Sequence, residues 1–206
     1  MSLFPRALAP FFIAMLCVIA PTGALADTGG TAFEEEPPPP PMLEPGQWSG
    51  VEVPGTKAKL LEEGTAAAPA DAPEQVKQAI WAANALKDLP YLYGGGHNLK
   101  FDVASGADCS GTVSYALHAA GLLKTPLDSG SFMRWGRRGR GNWITVFTNP
   151  GHAYAVIAGL RLDTSVAGMS RTARSTVSAT AFESGPRWRP MKRSALGFVK
   201  RHPTSF

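Results

Sequence analysis

From Phe11 to Ala20 the chain is uninterruptedly apolar, behind Arg6 and ahead of Ala24-Leu25-Ala26, the layout of an export signal over residues 1–26. Crossing a bilayer takes about 20 apolar residues, more than this run offers before Pro21, so no membrane span is expected once the signal is removed. Further along, Val76, Ala79, Ile80 and Ala83 recur at helical spacing. Asp71 suits the cap of that helix, Pro73 its first turn, and Glu74 stands three residues after Asp71, with a stop expected near Pro90. Val113, Ala116, Leu117 and Ala120 predict a second helix, opened near Cys109 and ended by Gly121. Trp143–Phe147 and His152–Ala158 are β-rich runs separated by Asn149-Pro150-Gly151, Leu160–Thr164 follows Gly159 closely, and Leu196–Lys200 is a further strand candidate. Helices first and strands afterwards predict an α+β domain with an antiparallel sheet rather than alternating βαβ units.

Composition divides the 206 residues. Residues 27–73 carry nine acidic against two basic side chains and nine prolines, including Pro37 to Pro41, which predicts a disordered acidic linker. Residues 74–206 reverse the balance, with 17 Lys or Arg against seven Asp or Glu, and form the expected folded domain. A domain this basic is drawn to anionic wall polymers or membrane surfaces, and Arg134, Arg137, Arg138 and Arg140 are its densest cluster. Nucleic acid is a poor partner for an exported protein without a nucleic-acid motif.

Cys17 falls within the signal, leaving Cys109 as the lone thiol of the exported chain. Asp108-Cys109-Ser110-Gly111 puts that thiol at a helix start, with Asp108 as cap, where the helix dipole favours thiolate and backbone N–H groups could hold an oxyanion. A cysteine nucleophile needs a histidine. His118 lies nine residues on and points away from Cys109, His202 sits in the tail, and His97 lies in a glycine-rich loop. His152 opens an apolar strand and is the best-held base. If Ala158-Gly159 form a two-residue loop, Asp163 shares the His152 face; a three-residue loop presents Thr164 instead. No cofactor is expected, and one Cys with scattered His offers no zinc-ligand spacing.

Together, Tyr91-Leu92-Tyr93-Gly94-Gly95, Asp108-Cys109-Ser110-Gly111 and Gly151-His152-Ala153-Tyr154-Ala155-Val156-Ile157 resemble the NlpC family of bacterial cell-wall cysteine peptidases, over about residues 74–162. The resemblance implies a papain-like fold and a secreted endopeptidase that cuts an amide in peptidoglycan stem peptides. It implies Cys109 as nucleophile, His152 as base and a polar orienter at or near Asp163. Tyr91, Asp108 and Ser110 match cleft positions that hold the peptide stem, and Ser131 a small polar position after the nucleophile helix. The sequence departs from the family at residues 140–147, in an insertion over His97–Ala107, and in an aspartate where relatives usually carry His, Asn or Gln. The alternatives are acyl transfer or amidase chemistry on another acyl bond, and a non-catalytic basic wall-binding module.

Overall fold

The computed structural model describes residues 43–165, 185–190 and 193–206; the expected export signal and the proline run at 37–41 lie outside them. Helix α1 spans Glu74–Asn84 and buries Val76, Ala79, Ile80 and Ala83, the face its periodicity predicts. Asp71 does not cap it. Pro73 holds the N-cap position without a side-chain hydrogen bond, while the Asp71 N–H is directed to the Gly55 carbonyl at 3.2 Å. Nor does the helix reach Pro90: from Ala85 to Leu89 the backbone continues in tighter i to i+3 turns.

Helix α2, Cys109–Ala119, is capped as expected, with the Gly111 N–H donating to Asp108 Oδ1 at 2.7 Å. It ends on Gly121 at φ +68°, where the Gly121 and Leu122 N–H groups return to the carbonyls of His118 and Leu117. A short helix α3, Ser129–Phe132, follows behind its own cap, Asp128.

Strands β4 (Arg137–Arg138), β5 (Ile144–Asn149), β6 (His152–Ile157), β7 (Leu160–Asp163), β8 (Arg187–Arg189) and β9 (Val199–His202) form one antiparallel sheet in the order β4-β9-β5-β6-β7-β8. The small side chains of Ala153 and Ala155 on β6 let α2 pack closely against the sheet, completing the expected α+β arrangement of a helix bearing the thiol on an antiparallel sheet. The last strand starts later than Leu196, because the chain turns at Gly197, φ +79°. Gly185-Pro186-Arg187-Trp188-Arg189, which has the look of a surface loop, instead supplies β8: Trp188 is buried and donates its indole N–H to Asn84 Oδ1 at 2.7 Å. Part of the arginine cluster is likewise a strand, β4.

The expected linker 27–73 needs correction. Residues 43–73 are part of the packed unit: β1 (Glu52–Val53), β2 (Lys59–Leu60) and β3 (Ala66–Pro69) form a small sheet in the order β1-β3-β2. Ala66, Ala67 and Ala68 are fully buried against α1, and Asn84 clamps both the N–H and the carbonyl of Ala66 at 2.8 and 2.9 Å. Gln78 does the same for Trp48, at 2.7 and 2.8 Å, and the Trp48 ring meets Tyr115 edge-on at 6.0 Å. Three buried alanines need little apolar mass to cover a helix, so an acidic, proline-rich average conceals a structural segment.

Candidate active site

Cys109 is the first residue of α2, and its side chain is 8% exposed at the wall of an open cleft of about 430 Å³ that Tyr91, His97, Asp108, Ser110, Ser129 and Gly151 also line. The first intrahelical bond runs from the Thr112 N–H to the Asp108 carbonyl, and the cap takes the Gly111 N–H. The N–H groups of Cys109 and Ser110 therefore stand at the helix mouth without an intrahelical partner.

His152, the first residue of β6, shares a hydrogen bond with the Cys109 thiol, and the Ala153 N–H donates to the same sulfur. On its other side, His152 Nε2 lies 2.9 Å from Asp163 Oδ1. With Nε2 held there, Nδ1 is the nitrogen that serves the thiol. Ala158 and Gly159 close the β6–β7 hairpin, both at positive φ (46° and 95°), and Ile157 pairs with Leu160. That register carries Asp163, not Thr164, to the His152 face. Asp163 is fully buried; its Oδ1 also accepts the Ser165 N–H at 2.8 Å, and its Oδ2 faces Arg161 Nε at 3.3 Å and Arg193 Nη1 at 3.1 Å.

Electrostatics separate the charges across this row. Burial pushes the Cys109 thiol up, but hydrogen bonds from His152 and the Ala153 N–H outweigh it, and the thiol ends below its ordinary value. Burial alone would depress His152; Asp163 and the thiolate together raise it to about 9. Burial raises Asp163, yet its hydrogen bonds from His152 and the Ser165 N–H and the nearby Arg161 hold it below the usual carboxylate range. Both shifts favour the thiolate–imidazolium form of the pair, a nucleophile beside a proton donor.

Asp108 and Ser110 lie in the same cleft, but the Asp108 carboxylate is engaged within the protein. Besides Gly111, its Oδ1 meets Ser110 Oγ at 3.1 Å and His97 Nε2 at 2.9 Å, while Oδ2 accepts the Gly94 N–H at 3.0 Å. His97 Nε2 is also 3.1 Å from Ser110 Oγ, so His97, Asp108 and Ser110 form one hydrogen-bonded group at the cleft wall. The Asp108 hydrogen bond raises the His97 pKa against the effect of burial, with Asp128 adding to it. This second His–Asp pair escaped the reading of His97 as a loop residue. Its sequence signal is the Gly94-Gly95-Gly96 run: Gly96 sits at φ +82°, and a Cβ on Gly111 would strike the Gly95 carbonyl, so the loop lies flat on the first turn of α2.

Tyr91 borders the thiol, and burial together with the charges of Cys109 and Asp108 raises its pKa, keeping it a neutral phenol. Ser131 bonds its own cap, Asp128, at 3.1 Å, whereas Ser129 of the same short helix lines the cleft. His118 and His202 stand apart, their Nδ1 atoms bonded to the carbonyls of Leu123 and Pro203 at 3.0 and 2.8 Å. Among the described residues no group of three or more His, Cys, Asp and Glu side chains could hold a metal ion, and no helix is long and apolar enough to cross a membrane.

No protein-family model and no curated protein matches the chain. Among solved structures, the peptidoglycan hydrolase RipB from Mycobacterium tuberculosis matches at 24% identity and a TM-score of 0.43, covering 62% of this chain and 64% of that one. The match thus spans less than two thirds of RipB, and the chemistry here rests on the residues themselves.

Proposed function

We propose that this chain is an exported cysteine peptidase that hydrolyses an amide bond in the peptide stems of peptidoglycan. The observation that carries the reading is the row Cys109–His152–Asp163, with the thiol hydrogen-bonded to one side of the imidazole and the carboxylate 2.9 Å from the other. The choice of stem peptides rests on the three NlpC-like motifs, which contribute every one of these groups except Asp163. An export signal at residues 1–26 and the basic balance of residues 74–206 suit work in an anionic wall.

In this mechanism the Cys109 thiolate attacks the scissile carbonyl carbon, and the developing oxyanion is held by N–H groups at the α2 mouth. As the C–N bond breaks, His152 Nδ1 gives its proton to the leaving amine. The neutral imidazole then takes a proton from water, which attacks the thioester; the carboxylic acid leaves, and the thiolate–imidazolium pair is restored. Asp163 holds the ring and stabilises its positive form throughout. Tyr91, Ser110 and Asp108, the last bonded to His97, form the wall against which the stem lies.

Purified protein incubated with peptidoglycan tests this through mass-spectrometric identification of the new termini. Free amino and carboxyl ends from stem peptides, absent with Cys109→Ala, are the expected result. Products in which an added amine replaces the carboxylate would establish acyl transfer and overturn hydrolysis.

A further inference from the structure

A second cavity, of about 320 Å³, opens on the sheet face opposite α2. Five cations line it, Lys57, Arg140, Arg161, Arg189 and Arg193, and no Asp or Glu among the described residues does. They arrive from separate parts of the chain: Lys57 from between β1 and β2, Arg140 from ahead of β5, Arg161 from β7, Arg189 from β8, and Arg193 from ahead of β9. Cross-strand register explains part of the convergence, since Thr145, Val156, Arg161 and Arg189 stand opposite one another in turn on four adjacent strands. Arg161 is 2% exposed, whereas Lys57 and Arg140 are exposed at the rim.

Aromatic faces hold two of the guanidinium groups. Arg140 lies over Phe147 at 5.7 Å from the ring centroid, and Arg193 lies over Tyr154 at 5.2 Å and Phe198 at 5.0 Å. A guanidinium over a ring keeps its N–H edges for oxygen acceptors, and Arg193 already gives one of them, Nη1, to Asp163. The buried Asp163 carboxylate answers part of the cavity's charge through Arg161 and Arg193, but one carboxylate does not balance five cations, and burial further depresses Arg161 and Arg189, so an entering anion would relieve the remainder. A carboxylate brings a single charge, whereas a phosphate group brings more and accepts from several directions at once.

We infer that this cavity is a binding site for a phosphate group, carried by a free phosphate compound or by a phosphodiester polymer. Lys57 and Arg140 grip the group at the rim, and Arg193 holds it from within. The site is distinct from the thiol cleft and does not depend on the proposed hydrolysis. It meets the proposed catalytic row through Arg161 and Arg193, which both line the cavity and face Asp163 Oδ2.

Calorimetric titration of the full-length Cys109→Ala protein with inorganic pyrophosphate, at constant ionic strength, tests this without any turnover. The expected result is one saturable site, weakened about tenfold or more by the Lys57→Ala, Arg140→Ala double substitution. Arg137→Ala with Arg138→Ala removes the same charge from β4, outside the cavity, and should change the affinity less than about twofold. Arg140→Gln alone, which keeps the side-chain length, should weaken binding in the same direction. Displacement of pyrophosphate by a glycerol-phosphate oligomer would assign a polymer as the source of the group, and failure of the oligomer to compete would assign a free phosphate compound. Lack of saturation, or equal weakening by the two double substitutions, would overturn the proposal.

Discussion

His152 and Asp163 meet at 2.9 Å because Ala158 and Gly159 close their hairpin in two residues. One residue more in that turn would carry Asp163 to the opposite face of the sheet and present Thr164. The contact contributes to the charge state of the proposed base, since Asp163, with the thiolate, opposes the burial that would otherwise keep His152 neutral.

The pH profile follows from this pair. Activity requires Cys109 ionised and His152 protonated, so it rises through the lowered thiol pKa and falls as His152 deprotonates near pH 9. In Asp163→Asn one of the two raising charges is gone while burial and the thiolate remain, and the alkaline limb should move to lower pH. A loss of about 100-fold in kcat should accompany the shift. The kcat/KM profile of both proteins between pH 5 and 10 (about the working range of these groups) checks it; coincident alkaline limbs would contradict the role of Asp163.

A second expectation concerns residues 43–73. Trp48→Ala should cost about 3–5 kcal/mol of stability in urea denaturation, as removal of a buried aromatic usually does, and a chain starting at Glu74 should lack a cooperative unfolding transition. Unchanged stability of either protein would return this segment to the status of a tether.

Most of the helices, the three central strands and the proposed catalytic row are legible in the sequence, because each rests on local rules. Helical spacing marks α1 and α2, Asp108 is a recognisable cap, and the parity of a two-residue hairpin carries Asp163 to His152. Features set by tertiary partners are not legible in that way. Ala66–Ala68 become a strand only because α1 covers them, β8 because Trp188 finds Asn84, and His97 a cleft residue because two glycines let its loop lie on α2. Asp71 has the character of a cap, but the bond between its backbone and Gly55 delays the helix to Glu74.

Close backbone packing yields a third expectation. A methyl group at Gly111 would collide with the Gly95 carbonyl, and rigid backbone on both sides gives little room to yield. Gly111→Ala should therefore destabilise the protein by about 1–3 kcal/mol. It should also reduce activity beyond the loss of folded protein, because Tyr91 and His97 flank the displaced loop. Denaturant titration and kcat/KM on the folded fraction provide the check, and a stable, fully active variant would contradict it.

His97 gives a fourth. Its pKa is raised first by the hydrogen bond to Asp108, so proton NMR of the imidazole should place its titration above the ordinary value of about 6.5. Asp108→Asn keeps an oxygen for the α2 cap but removes the charge, and should lower that titration while costing little stability. An unmoved His97 titration would show that Asp108 does not govern it.

The account stands most directly on the ionisation of Cys109. The rate of its alkylation by iodoacetamide, followed at that residue by peptide mapping across a pH series, reads the thiolate fraction. The prediction is a reactivity that rises through a pKa below the free-thiol value of about 8.5 and that His152→Ala moves up to that value or beyond. Onset at or above about 8.5 in the unsubstituted protein, or the same onset in both proteins, would contradict the activated thiol on which the proposed hydrolysis depends.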